Sequence, residues 1–128
     1  MTIAWCFEDQ ATAYTDSVLG AFAYSSAVVP SLWPLEVANV LLVNERRRKL
    51  AKADSEAFLG LLVSLPITVD AEMAQHAWGG ALSLAWARDL SAYDGAYLEL
   101  AARLGLPLAT MDHHLRRAAA GAGIALVS

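Results

Sequence analysis

Three acidic residues, Glu36, Asp94 and Asp112, stand where a carboxylate can do chemistry as well as solvate a surface. Glu36 shares a helical stripe with Asn39, Val40 and Val43, at i, i+3, i+4 and i+7. Asp94 shares one with Tyr97, Leu98 and Ala101, while Glu99 and Arg103 lie on the other face as a solvent-side i, i+4 ion pair. An acid at the head of an inward-facing apolar stripe is costly unless it is paired or bound to a cation. Several carboxylates together suit a hard divalent ion, which takes oxygen ligands and keeps waters. Such an ion acidifies water and stabilises charge on a phosphate oxygen. Each acid alone also has a plain structural explanation, because Asp and Glu at helix N-termini satisfy free amides and the helix dipole. Ser91-x-x-Asp94 even matches a variant of the capping box. Only the joint pattern favours chemistry. If the three share cations, their carboxylates should converge to within about 8 Å.

The elements that must position these acids follow from apolar runs and their punctuation. A helix is expected from Glu8 to Ala21, closed by Gly20. Ala27-Val28-Val29 reads as a buried strand ending at Pro30, and Pro34 opens a helix running to about Leu50. Asp54 or Ser55 caps a helix to about Leu65; Ile67-Thr68-Val69 is strand-like, with Asp70 as the next cap. Ser91 opens a helix to Leu104 that Gly105 stops, with Pro107 beyond it. Leu108-Ala109-Thr110 is expected as a third strand, then a helix after Asp112, then Ile124 to Val127 as a fourth strand. Short apolar strands alternating with helices imply an α/β sandwich, a parallel sheet covered by helices on both faces. Ligands in such sheets bind beyond the carboxyl ends of the strands, where the three acids fall.

Composition limits what else the chain can be. Its 128 residues allow one domain, residues 1–128, and no repeat or low-complexity linker divides it. Although 57% of residues are apolar, no run approaches the ~18 needed to span a membrane, and Glu8 and Asp9 break any secretory-signal pattern. The excess predicts apolar faces that meet another chain. A lone cysteine, Cys6, excludes an internal disulfide and a Cys-rich zinc site, fits a reducing cytoplasm, and reads as a small buried apolar residue. The net charge of −4 excludes nucleic-acid binding by bulk charge, but five of the nine bases lie between Arg46 and Lys52. That cluster is either a solvated helix end or a local patch for RNA.

The segments Pro34-Leu35-Glu36-Val37-Ala38-Asn39, Leu90 to Ala101 (with Tyr93-Asp94-Gly95-Ala96-Tyr97-Leu98) and Pro107 to Asp112 occur in an order and spacing that resembles PIN domains, specifically VapC-type toxins of bacterial toxin–antitoxin pairs. The likeness extends to Ala4-Trp5. The resemblance implies a PIN-like α/β/α fold and an RNA-cleaving site in which Glu36, Asp94 and Asp112 hold Mg2+ or Mn2+. It makes Thr110 a residue that orients the site, and Asn39 a hydrogen-bond partner of the acids or a structural one. It also implies a cognate antitoxin, an RNA substrate and a homodimer. The family's opening strand ending in Asp-x-Ser, with its metal-ligating aspartate, is missing, and neither Glu8 nor Asp9 stands at the right distance to replace it. Either the natural chain starts upstream of Met1 or this is a truncated, weakened or silent relative that keeps only partner binding. An in-frame Asp-x-Ser upstream would decide for the enzyme, and a stop codon for the silent protein.

Of the remaining residues, Arg46, Arg47, Arg48, Lys49, Arg116 and Arg117 are candidate RNA backbone contacts. His113 and His114 point about 100° apart on a helix, which favours solvent or RNA contact over one shared ion. Trp33, Trp78 and Trp86 are expected in a core or interface. A Gly-rich phosphate loop is absent, which disfavours a nucleotide-binding fold. The helix from Pro34 carries apolar residues around nearly its whole circumference, and Tyr14, Val18, Leu19 and Phe22 form a stripe on the first helix; both predict self-association.

Overall fold

The computed structural model describes residues 12–127, which form two compact units. One holds residues 12–28 and 32–69; the other holds residues 29–31 and everything from Asp70 onward. Glu8, Asp9, Cys6 and Ala4-Trp5 lie outside the described residues.

In the first unit, α1 (Ala13–Ala21) starts later than the expected Glu8, because Thr12 is extended and caps it. Thr12 Oγ1 accepts from the Thr15 N–H at 3.1 Å and Thr15 Oγ1 from the Thr12 N–H at 2.8 Å, a reciprocal pair that fixes the helix start. Strand β1 (Ala27–Pro30) ends at a residue with no N–H to extend a ladder. Helix α2 (Trp33–Arg46) carries Pro34 in its first turn and stops short of Leu50. There Arg48 turns left-handed at φ 57° and the Lys49 N–H closes on Asn44 O at 2.9 Å. Helix α3 (Lys52–Ser64) is capped at Ala51 and not at Asp54 or Ser55. Asp54 sits one turn in and accepts from the Ala51 N–H at 3.1 Å, while Ser55 is buried and donates to Glu45 Oε2 at 2.9 Å. Val37 and Leu41 of α2 pack with Phe58 and Leu62 of α3, flanked by Trp33, Leu50 and Leu65. Each such side chain withdrawn from water contributes about 1.5–3 kcal/mol, which holds the helical pair together. Strand β2 (Ile67–Asp70) pairs in parallel with β1 in a two-stranded sheet, entered by the Ala27 N–H donating to Pro66 O at 3.0 Å.

In the second unit, α4 (Met73–His76) runs through a π turn at Ala77–Ala81 into α5 (Leu82–Arg88). Helix α6 (Ala92–Leu104) is capped as expected, with Ser91 Oγ accepting from the Asp94 N–H at 3.1 Å and Gly105 left-handed at φ 65°. Helix α7 is His113–Gly121. The core comprises Leu98, Ala101, Leu108, Leu115, Ala118 and Ala119, with Leu84, Leu90, Tyr97, Ile124 and Leu126 against it. The expected third and fourth strands reduce to a single parallel bridge between Leu108 and Leu126. Pro107 removes a donor just before it, and Gly123 turns left-handed at φ 75° just before Ile124. The result is mixed α/β, with helix dominating and sheet confined to short pairings, consistent with a PIN-like fold.

Close approach of α6 to α5 depends on Gly95, where a Cβ would lie 2.6 Å from Ala81 O and 3.2 Å from Ala85 Cβ. The nearer atom is backbone and cannot swing aside. Gly95→Ala is therefore expected to cost about 1–3 kcal/mol, read as a lower denaturant midpoint at unchanged slope.

Two expectations need correction here. Asp70 does not cap the following helix; its carboxylate accepts from Arg103 Nη2 at 2.8 Å. The Glu99–Arg103 pair exists at 2.7 Å but does not face solvent, since Glu99 is only 6% exposed. The guanidinium also reaches Glu72 Oε2 at 3.4 Å, and His76 Nδ1 stands 3.6 Å from Glu99 Oε1.

Candidate active site

Asp94 and Asp112 stand at the heads of two helices in the second unit, near enough for the charge on Asp112 to act on Asp94. Asp94 occupies the first turn of α6, half-buried, and its pKa is raised above the ordinary carboxylate value. Burial is the main cause, followed by repulsion from the charge on Asp112, with His114 and the Ser91 hydroxyl acting in the opposite sense. Asp112 is the extended N-cap of α7, and its Oδ1 accepts from the Leu115 N–H at 3.0 Å. That hydrogen bond is the main reason its pKa lies below the ordinary value, helped by the His114 N–H and by the charges of His114 and His113. The site thus holds one carboxylate whose ionised form is favoured and another whose ionisation is opposed.

The neighbours of Asp112 are committed to holding it. Thr110 is buried, and its Oγ1 accepts from the Asp112 N–H at 3.1 Å. Arg116 Nη1 donates to Thr110 O at 2.7 Å, so this side chain braces the turn before Asp112, while Arg117 is exposed. His114 is not simply solvent-facing either: its Nε2–H donates to Asp89 O at 2.7 Å. His113 is exposed. Sequence reasoning missed the His114 bond because its partner lies 25 residues away with no local signal.

Glu36 lies in the first unit, exposed in the first turn of α2, with its N–H bonded to Leu32 O at 3.0 Å; Asn39, one turn on, is also exposed. Arg46, Arg47, Arg48 and Lys49 are exposed where α2 ends. Trp33 is half-buried beside the α2–α3 core, but Trp78 and Trp86 are 93% and 76% exposed, which overturns the core placement for those two.

Among the described residues, no three or more His, Cys, Asp or Glu side chains gather as a metal-holding group. The Asp94–Asp112 pair nevertheless suits a hard cation. Its donors are carboxylate oxygens, and a positive charge would offset both the burial of Asp94 and its repulsion by Asp112. Magnesium in particular is often held by one or two carboxylates, with waters and substrate phosphates completing the shell.

Among the described residues no helix is long and apolar enough to cross a membrane. In sequence comparisons, the family model of the PIN domain matches residues 3–121, a span that contains Glu36, Asp94 and Asp112. None of the curated proteins compared matches the chain.

Proposed function

Since this chain belongs to the PIN domain family, whose members are generally nucleases and usually use divalent metals, we propose that it is a Mg2+- or Mn2+-dependent endoribonuclease of the VapC type. The observation that carries this reading is the carboxylate pair Asp94–Asp112, one member held by hydrogen bonds with Leu115, His114 and Thr110 and the other half-buried. When bound, a divalent cation would supply activated water and charge neutralisation at the scissile phosphate. Asp94 and Asp112 would hold it, and Thr110 and Leu115 would fix the Asp112 carboxylate. Exposed Arg46, Arg47, Arg48, Lys49 and Arg117 would contact the RNA backbone. Cleavage of single-stranded RNA should require Mg2+ or Mn2+, stop on chelation and return when cation is restored. Cation binding without any cleavage would favour the silent, partner-binding protein instead.

A cognate antitoxin and a second copy of the chain would meet the apolar surface of the first unit. Helix α2 buries only Val37 and Leu41, leaving Leu35 75% exposed; on α3, Val63 is 86% exposed. Between them a groove of about 280 Å3 is lined by Trp33, Pro34, Val37, Leu59, Leu62 and their neighbours. Covering a surface of this kind takes roughly 800 Å2 per partner. Sedimentation at micromolar concentration should therefore give a dimer; a clean 13.7 kDa species would remove the self-association.

A further inference from the structure

We propose that Arg88, Gly121 and His114 form a two-point latch that sets the separation of Asp94 and Asp112, which makes Arg88 and Gly121 positioning residues of the site. The inference rests on the nuclease reading for its functional meaning, but its geometry stands apart from it. Two consecutive residues at the end of α5 reach the two ends of α7. Arg88 Nη2 donates to Gly121 O, the last residue of α7, at 2.6 Å. Asp89 O accepts from His114 Nε2–H, in the first turn of α7, at 2.7 Å. A single contact would let α7 pivot, whereas contacts at both ends fix its position and direction against the α5–α6 turn.

Both carboxylates hang on that turn and that helix. Asp112 caps α7 and moves with it. Asp94 follows the turn through Leu90 and Ser91, and the turn itself is held by Asp89 in the left-handed region at φ 53°, a conformation that Asp tolerates better than most residues. The Leu90 N–H returns to Ala85 O at 3.0 Å, so the turn is anchored to α5 as well. The latch also explains a glycine that helix propensity disfavours. At Gly121 a Cβ would stand 2.5 Å from Arg88 Nη1 and 3.2 Å from its Cζ, so any side chain there displaces the guanidinium. Position 121 needs no positive φ; it needs the space.

The test compares Arg88→Ala, Gly121→Ala, Arg88→Lys and a mildly destabilised control, Leu62→Val, which lies in the other compact unit. Two readouts are taken on the full chain: Mn2+ titration followed by electron paramagnetic resonance, and amide hydrogen exchange at Leu115. The Leu115 N–H is the one that Asp112 Oδ1 accepts, so its protection reports the latch without any cation. Arg88→Ala and Gly121→Ala should each speed exchange at Leu115 and weaken Mn2+ binding by about tenfold, the usual scale for an outer-shell partner. Arg88→Lys, which can still donate to Gly121 O, should recover part of both, and Leu62→Val should change neither. Unchanged Leu115 exchange in Arg88→Ala and Gly121→Ala overturns the latch. Faster exchange in a chain that binds no Mn2+ even as wild type supports the latch and places the failure in the nuclease reading.

Discussion

Arg103→Ala is expected to lower stability by about 3–5 kcal/mol, the cost of stranding buried charges by removing their partner. The guanidinium donates to Asp70 Oδ2 at 2.8 Å and to Glu99 Oε1 at 2.7 Å, and both carboxylates are nearly inaccessible to water. Without it two anions stay desolvated side by side, with only His76, 3.6 Å from Glu99, to answer them. A loss of that size is a large share of the ~5–15 kcal/mol that holds a small domain folded. The pH dependence follows from the sign of the shift at Asp70. Its hydrogen bond to Arg103 is the main reason its pKa lies below the ordinary 3.8. The paired carboxylate therefore contributes stability that is full above that value and is lost as pH falls through the lower folded one. In Arg103→Ala the Asp70 carboxylate loses that hydrogen bond and takes up a proton more readily, so acidification costs the variant less than the wild type. Denaturant titrations at pH 7 and pH 4 should show the gap between the two proteins narrowing at the lower pH. Adding Asp70→Asn and Glu99→Gln to the variant should recover much of the loss at neutral pH, because the two carboxylates withdrawn from water are then replaced by neutral amides.

That network also marks where the sequence stops being legible. The Glu99–Arg103 spacing reveals an i, i+4 pair, but local spacing says nothing about Asp70, which stands 33 residues away and buries the pair. Signals that act within one turn are readable: Ser91 caps α6, Gly105 ends it, and Asp112 sits at a helix head. Signals that need a partner are not. Leu108-Ala109-Thr110 has strand chemistry, yet it forms one bridge because pairing depends on what Ala125 to Val127 can offer across from it. The helix start at Ala13 turns on two threonines exchanging hydrogen bonds. The π turn at Ala77–Ala81 contains Gly79-Gly80, and the need for a glycine at position 80 lies in α6, since a Cβ there would meet Glu99 Cγ at 3.1 Å. Candidate acids were legible because carboxylates at strand-to-helix junctions are a local pattern. What surrounds each of them was not.

Asp94→Asn is expected to remove RNA cleavage by about a hundredfold or more while leaving the cation-free protein at least as stable as wild type. The two halves of that outcome have one cause. Burial and the charge of Asp112 both oppose ionisation of Asp94, so at neutral pH the fold carries an anion that it would be better without. Asparagine keeps the shape, removes the charge and relieves both costs. A carboxylate kept only to cap α6 would behave in the opposite way: Ser91 already accepts the Asp94 N–H at 3.1 Å, and loss of a useful acid in the first turn would lower stability by a few tenths of a kcal/mol. Added Mg2+ or Mn2+ should raise the wild-type melting temperature by mass action, since only the folded chain brings the two carboxylates together, and should leave Asp94→Asn unmoved. Asp112→Asn is the instructive contrast. Its Oδ1 accepts from the Leu115 N–H at 3.0 Å, an interaction asparagine can keep, so the cap survives while one anionic ligand is lost. Asp112→Ala loses both and should fall in stability by about 1 kcal/mol as well as in cleavage. If Asp94→Asn unfolds more easily and cleaves RNA as fast as wild type, Asp94 is a structural residue and the catalytic reading of the pair is wrong.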